Sequence, residues 1–161
     1  MYPNSLRALI RKFLMLEIGA VALYRTHGRM VPPALKPLFR EFEAIEVNHR
    51  EEFSRLYRHI NRGRTWWAIP FVRVGANLLA LVVSLGGTRA ILTFERNIER
   101  HAVADYTDAL TTVKDAAART AITRVLADEI RHDELLSLLY EYRGDEERHI
   151  EELEKALKGY Q

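Results

Sequence analysis

The chain has 161 residues, of which 48% are hydrophobic and 29% are charged, as expected for a single globular domain. It contains no cysteine, which excludes disulfides, thiolate metal sites and a cysteine nucleophile. The 24 basic residues are interleaved with 22 acidic ones, so the charge pattern gives no support to nucleic-acid binding. We therefore expect one domain over residues 1–161, in which carboxylate and imidazole groups bind any metal.

The N-terminal segment predicts an amphipathic helix. Apolar residues recur every three or four positions from Leu6 to Tyr24, and Glu17 lies on the same face. Basic residues precede this apolar run, as they do in a signal peptide, but Glu17 interrupts it and no small-residue cleavage site follows. We interpret the segment as a helix of the mature protein that ends near Gly28, before a proline pair.

Three more long helices are predicted from the same periodicity. Their approximate extents are 33–61, 88–112 and 114–142. The first of these three is expected to end at Gly63, and Thr88 is a suitable N-cap for the next one after Gly86-Gly87. Four such helices predict an all-α, ferritin-like four-helix bundle.

The C-terminal segment is rich in charged residues. Gly144 is expected to break the last long helix, and a short charged helix then covers residues 145–158. It contains Glu146 and His149 three residues apart, but no glutamate stands about 30 residues upstream. We therefore interpret that pair as solvent-exposed.

A nearly uncharged stretch, residues 66–87, separates the second and third predicted long helices. Pro70 and Arg73 make its first half a poor transmembrane span. One interpretation is a buried crossover between the two halves of a bundle. The other, which we favour, is a surface that enters one membrane leaflet, with Trp66 and Trp67 at the level of the headgroups.

The strongest chemical signal is a repeated pattern of glutamate, histidine and tyrosine. The first and third long helices each carry a glutamate followed seven residues later by a tyrosine, and the second and fourth each carry Glu-x-x-His. These pairs are Glu17 and Tyr24, Glu99 and Tyr106, Glu46 and His49, and Glu129 and His132. The lone glutamate precedes the Glu-x-x-His by 29 residues in the first half and by 30 in the second. Two helical hairpins would therefore place the four glutamates at matching depth.

This pattern predicts a metal centre with two ions. A lone Glu from each of two helices and a Glu-x-x-His from each of the other two is how helix bundles build di-iron carboxylate sites. Four carboxylates neutralise two divalent ions, whereas without metal they would be desolvated and would repel one another. We predict two iron ions bound by six residues: Glu17, Glu46, His49, Glu99, Glu129 and His132.

Two choices within this centre depend on register. Glu95 lies one turn before Glu99 and competes with it, but the spacing to Tyr106 and to the fourth helix favours Glu99. We expect Glu46 and Glu129 to bridge the two ions. Tyr24 and Tyr106 are either core residues or candidate catalytic residues that hydrogen-bond a ligand or take part in redox chemistry.

At these residues the chain resembles the demethoxyubiquinone hydroxylases, the Coq7 family of quinone-modifying di-iron proteins. The resemblance covers about residues 8–135, including the apolar link. The matching segments are Glu17-Ile18-Gly19-Ala20 with Tyr24, Glu46 with His49, Glu99 with Tyr106, and Asp128-Glu129 with His132. The chain departs from the family at Asp105, where a histidine is usual, and in its charged C-terminal stretch, where the family has a more apolar helix.

The resemblance implies that the six ligands bind two iron ions in a ferritin-like fold. It also implies hydroxylation of a membrane-borne quinone or similar lipid-like substrate, with dioxygen as co-substrate and reduced nicotinamide as the ultimate electron source. The apolar stretch 66–85 would contact the membrane, so we expect a cytoplasmic protein that is peripheral on the membrane. No dinucleotide fingerprint is present, so nicotinamide would act through a partner or at a site that no motif marks.

Two other functions remain open from the sequence. A soluble ferroxidase or peroxidase of the rubrerythrin or ferritin kind would share all six ligands but would not associate with membranes. A non-enzymatic, membrane-associated helical scaffold would satisfy its carboxylates with Arg and Lys. An exposed apolar link would also favour a homodimer, since large apolar patches seldom stay bare.

Overall fold

The computed structural model describes residues 2–61 and 68–158, and the side chains of that part up to residue 141. The described residues form five α-helices and no strand, which confirms the all-α prediction. The helices are α1 (Asn4–Met30), α2 (Lys36–Ile60), α3 (Ile69–Ser84), α4 (Gly87–Thr112) and α5 (Ala116–Lys158). A single domain over the whole chain stays a prediction.

The long helices form two antiparallel pairs. Along α1 and α2, Phe13 packs against Phe53 near one end and Tyr24 against Phe39 near the other. The α4–α5 pair is joined by a three-residue turn in which Asp115 accepts a hydrogen bond from the backbone N–H of Ala118 at 2.9 Å. Asp115 is therefore the N-cap that starts α5. The pairs meet through α2 and α5, and α3 packs against α1 and α4.

The core consists of two apolar layers with a polar layer between them. One layer includes Ile10, Phe13, Phe53 and Val125. The other includes Phe39, Phe42, Leu92 and Leu136. On each long helix the predicted metal ligands lie between residues of these two layers. The helical register therefore delivers the ligands to the middle of the molecule, away from water.

The junction of α3 and α4 depends on two glycines. Gly87 has φ of +73°, a conformation that residues with a Cβ rarely adopt. A Cβ on Gly86 would lie 2.6 Å from the Cβ of Ala90. The predicted N-cap at Thr88 is therefore wrong, because α4 already begins at Gly87 with Gly86 in the capping position.

The C-terminal prediction is also wrong, because α5 continues without a break through Gly144 to Lys158. One glycine inside a helix costs only about 1 kcal/mol relative to alanine. Its neighbours include many Glu, Arg, Leu and Lys residues, which favour helix and offset this cost. The separate helix 145–158 is thus the end of α5, and the side chains of Glu146 and His149 lie outside the described residues.

Other boundaries differ by a few residues. Helix α1 ends at Met30 rather than near Gly28, and α2 begins at Lys36 rather than at Pro33. Gly28 instead lies at a close contact of α1 with α2, since an added Cβ would be 3.2 Å from the Cβ of Phe39. The predicted stop at Gly63 lies outside the described residues.

The apolar link forms helix α3, and most of its side chains face outward. Within α3, all of which is described, Ala80 is the one buried residue. Phe71 is 68% exposed, Leu78 59% and Val82 65%. A buried crossover does not fit these exposures in the single chain. Trp66 and Trp67 lie outside the described residues, and no helix of the described part is long and apolar enough to cross a membrane.

Candidate metal centre

The six predicted ligands converge in the polar middle layer. Each is at most 3% exposed, although glutamate is rarely buried unless it is paired. Their ligand atoms form two overlapping groups with members within 4.8 Å of one another. The first group is Glu17, Glu46, His49 and Glu129, and the second is Glu46, Glu99, Glu129 and His132.

The first group surrounds the Nδ1 atom of His49. This atom lies 3.6 Å from Glu17 Oε2, 3.6 Å from Glu46 Oε2 and 3.4 Å from Glu129 Oε1. The other ring nitrogen, Nε2, contacts Asp128 Oδ2 at 3.0 Å. Asp128 therefore fixes the ring orientation and turns Nδ1 toward the carboxylates, the arrangement usual for a metal-binding histidine.

The second group surrounds the Nδ1 atom of His132. This atom lies 3.2 Å from Glu46 Oε1, 3.8 Å from Glu99 Oε2 and 3.7 Å from Glu129 Oε2. Glu46 and Glu129 thus direct one oxygen toward each imidazole. Glu17 belongs to one group alone and Glu99 to the other. The arrangement can hold two ions that share two carboxylates.

Unsatisfied polar atoms test whether a metal fits here. Within the described residues, Glu17 Oε2, both carboxylate oxygens of Glu46 and the Nδ1 atoms of His49 and His132 are buried without a hydrogen bond. Buried polar atoms without partners are costly, and these all border one small space. Carboxylate and imidazole donors suit iron, manganese or zinc. The donor set therefore fits two divalent ions.

The pKa shifts of the buried side chains in the metal-free chain also indicate a metal site. Burial and the neighbouring Glu46 carboxylate raise the pKa of Glu17 well above its ordinary value, and burial and Glu129 do the same for Glu99. Burial lowers the pKa of His132, but Glu129, Glu46 and Glu99 outweigh it and raise the pKa to about 11. Protons thus compensate the negative charge that metal ions would otherwise neutralise.

The two tyrosines connect the halves of the centre. The Tyr24 hydroxyl on α1 donates to Glu99 on α4, and the Tyr106 hydroxyl on α4 donates to Glu17 on α1. Burial and these carboxylates raise the pKa of both phenols, so each keeps its proton. Each tyrosine is thus both buried and hydrogen-bonded to a candidate metal ligand. A role of either tyrosine in catalysis or redox chemistry stays a prediction.

Glu95 has a different partner from Glu99. It contacts His27 Nδ1 at 2.5 Å, and both side chains are fully buried. His27 Nε2 lies 3.1 Å from the carbonyl oxygen of Ala80 on α3. Since that oxygen can only accept, Nε2 donates to it and a further proton lies between His27 and Glu95. This polar pair beside the centre was missed from the sequence, because His27 has no counterpart in the repeat.

A cavity of about 180 Å³ leads to the centre between α1 and α4. Its walls are mainly apolar, including Leu16, Leu23 and Ile98, and all four metal-site glutamates border it. Asp105, the departure from the resembled family, also lines the cavity and pairs with Lys12 at 2.8 Å. A flat apolar molecule could reach the carboxylates by this route.

Comparison with known proteins agrees with this geometry. The family model described as Ubiquinone biosynthesis protein COQ7 matches residues 5–158, including the charged C-terminal segment. No curated protein and no solved structure matches the chain significantly. The family consists of enzymes of the di-iron carboxylate type, in keeping with the two groups of buried ligands. Since the match covers nearly the whole chain, the chain belongs to the COQ7 family of ubiquinone biosynthesis proteins.

Proposed function

We propose that this chain is a di-iron monooxygenase that hydroxylates a membrane-borne quinone ring with dioxygen, on a ferritin-like four-helix bundle formed by α1, α2, α4 and α5. The observation that carries the proposal is the shared orientation of Glu46 and Glu129, each of which directs one oxygen toward His49 and the other toward His132. Membership of the COQ7 family gives the reaction class.

The six ligands divide into two equivalent sets. Glu17 and His49 would complete one metal position, and Glu99 and His132 the other, while Glu46 and Glu129 serve both. Two iron ions held there would supply the electrons and the open coordination positions needed to reduce dioxygen, with reduced nicotinamide as the ultimate electron source. The chain supplies neutralising charge, fixed ligand orientation and buried ligands.

Tyr24 and Tyr106 orient the two carboxylates that are not shared. Each hydroxyl donates a hydrogen bond to a glutamate on the opposite helix, so a movement of either carboxylate breaks a buried bond. The same bonds place a phenolic proton beside each metal position. We propose that these tyrosines limit carboxylate movement during the reaction.

The apolar cavity suits an aromatic ring. Its volume of about 180 Å³ exceeds the roughly 150 Å³ of an apolar cavity that accommodates benzene. Gly19 contributes to this space, since a Cβ built on it would have no atom within 4 Å. A ring in the cavity would meet the carboxylates directly, while an isoprenoid tail would extend outward between α1 and α4.

The exposed side chains of α3 support a peripheral contact with the membrane. Phe71, Leu78 and Val82 give the helix an apolar outer surface, which a lipid surface would cover. Such contact would bring a lipid-soluble quinone to the protein. This part of the proposal separates the hydroxylase from a soluble ferroxidase or peroxidase.

The test is turnover of a demethoxyquinone with isotopically labelled dioxygen, comparing the native chain with Gly19→Leu. The native chain should incorporate one labelled oxygen atom into the ring. Leucine favours helix over glycine and leaves the ligands intact, so the variant should keep its iron but lose most turnover because the cavity is filled. Iron oxidation or peroxide consumption without ring hydroxylation, equal in both proteins, would instead support a ferroxidase or peroxidase.

A further inference from the structure

A second cavity, of about 400 Å³, lies between the end of α1 and the start of α2. Four basic side chains line it, and we call it the basic pocket: Arg25, Arg29, Lys36 and Arg40. One carboxylate, Glu43, is also present. The basic pocket therefore carries a local excess of positive charge in a chain whose net charge is only +2.

Most of this charge has no partner among the described residues. Arg25 Nε pairs with Glu43 Oε1 at 2.7 Å. Arg29, Lys36 and Arg40 make no ion pair or hydrogen bond through their side chains with other described residues. Three uncompensated cations around one cavity repel one another, and a bound anion would relieve that repulsion.

The start of α2 adds to the positive potential. Lys36 is its first residue, and the first turn has neither an acidic residue nor a side-chain cap. The Lys36 N–H donates to the Pro33 carbonyl oxygen at 3.3 Å and Pro37 has no N–H, so at this end it is the helix dipole that favours a negative ligand. Arginine forks and a lysine ammonium are the side chains that bind phosphate oxygens best.

The floor of the basic pocket is aromatic and buried. Tyr24 and Phe39 meet there edge to face, with ring centroids 5.9 Å apart. Gly28 lets α1 approach α2 at this level. The Tyr24 hydroxyl reaches past this floor to Glu99 in the metal centre. A ligand in the basic pocket would thus lie one side chain away from that centre.

We propose that the basic pocket binds the phosphate or pyrophosphate group of a ligand. The charge and the helix dipole select the anionic group, and the buried aromatic floor closes the inner side of the basic pocket. This site is separate from the proposed hydroxylase activity and does not depend on bound metal. A soluble nucleotide and the phosphate of a lipid headgroup share the required chemistry.

The test measures binding of pyrophosphate and of ADP by calorimetry, and binding to phosphatidylglycerol vesicles by sedimentation. The double variant Arg29→Gln with Arg40→Gln removes two charges from the basic pocket. The matched control, Arg55→Gln with Arg58→Gln, removes two exposed charges from the far end of α2. Losing two charge-assisted contacts should weaken binding about tenfold or more in the first double variant, while the control should change little. Higher salt should weaken the native interaction.

Each outcome bears on the proposal. Saturable binding of ADP or pyrophosphate that only the pocket variant loses supports a soluble ligand. Selective loss of vesicle binding alone supports a lipid phosphate at the same site. Absence of binding to all three probes, or equal weakening in both double variants, would overturn it. If the double variant does not fold, Lys36→Gln alone should weaken binding in the same direction.

Discussion

At the scale of single residues, Tyr24 and Tyr106 test how the candidate ligands are oriented. Replacing either by phenylalanine keeps the buried ring but leaves a carboxylate oxygen of Glu99 or Glu17 without its donor. We expect iron affinity to fall about 10–100-fold, as for other residues that orient metal ligands, while the fold is retained. Competition with a chelator measures the affinity.

A third tyrosine provides the control for this prediction. Tyr57 is buried, and its hydroxyl accepts a hydrogen bond from Asn61, remote from the carboxylates. Tyr57→Phe should leave iron affinity unchanged. If Tyr24→Phe and Tyr106→Phe bind iron as tightly as the native chain, the two tyrosines are ordinary core residues.

The sequence predicted the residues that obey its repeat and missed those that do not. A shift of 82 residues relates Glu17 to Glu99 and Tyr24 to Tyr106, but it relates His27 to Ala109. A shift of 83 residues relates Glu46 to Glu129, and it relates Ile45 to Asp128, so the contact of Asp128 with His49 was not predicted. Hydrogen bonds between helices depend on how the helices pack, and the spacing of residues along one helix does not predict that packing.

At the scale of helices, the His27–Glu95 pair joins α1 to α4 and, through Ala80, to α3. Removing one partner leaves a buried polar group uncompensated, so Glu95→Leu or His27→Leu should cost about 3–5 kcal/mol of unfolding free energy. The double variant should cost much less than the two single variants together, because no polar group is then left over. Chemical denaturation measures the unfolding free energy of each variant. If the losses in the two single variants add up to the loss in the double variant, His27 and Glu95 are not coupled.

Helix α3 carries the prediction for membrane contact. Leu78→Glu with Val82→Glu puts charge on its exposed apolar surface and should weaken binding to lipid vesicles about tenfold or more. Leu138→Glu is the control, because Leu138 is similarly exposed, at 61%, but lies on α5. Equal binding by all three proteins would argue against α3 as the contact surface.

Gly87 and Gly144 show why helix boundaries are hard to predict from glycines in the sequence. Gly87 needs its positive φ at the tight junction of α3 and α4, whereas Gly144 is accommodated inside α5. Both lie in segments that favour helix, so composition alone does not separate them. What differs is whether the chain must reverse direction, and that is set by packing between helices.

At the scale of the whole molecule, the buried charges predict how pH acts on the metal-free protein. Glu17, Glu99, His49 and His132 all have a raised pKa, so the folded chain retains protons that the unfolded chain releases. Their stabilising contribution is present at low pH and is lost as pH rises. For His132 the loss begins near its ordinary pKa of 6.5 and extends to about 11.

Glu129 does not reverse this trend at neutral pH. Burial raises its pKa, but contacts with Glu99, His132 and His49 outweigh burial and lower it below the ordinary value of 4.5. The contribution of Glu129 to stability therefore changes only at acid pH. We expect the Tm of chelator-treated protein to fall between about pH 6 and pH 9, whereas metal protection should grow because ions displace those protons. A Tm that rises over this range without metal would contradict the assignment.

The most direct measurement is the iron content per chain after iron-replete expression, for the native protein, Glu129→Gln and Glu134→Gln. Glu129 faces both imidazoles, whereas Glu134 lies on the exposed face of the same helix. We predict about two irons in the native chain and in Glu134→Gln, and a loss of both in Glu129→Gln, because both positions share that carboxylate. A native chain without metal, or a Glu129→Gln variant that keeps two irons, would contradict the di-iron centre.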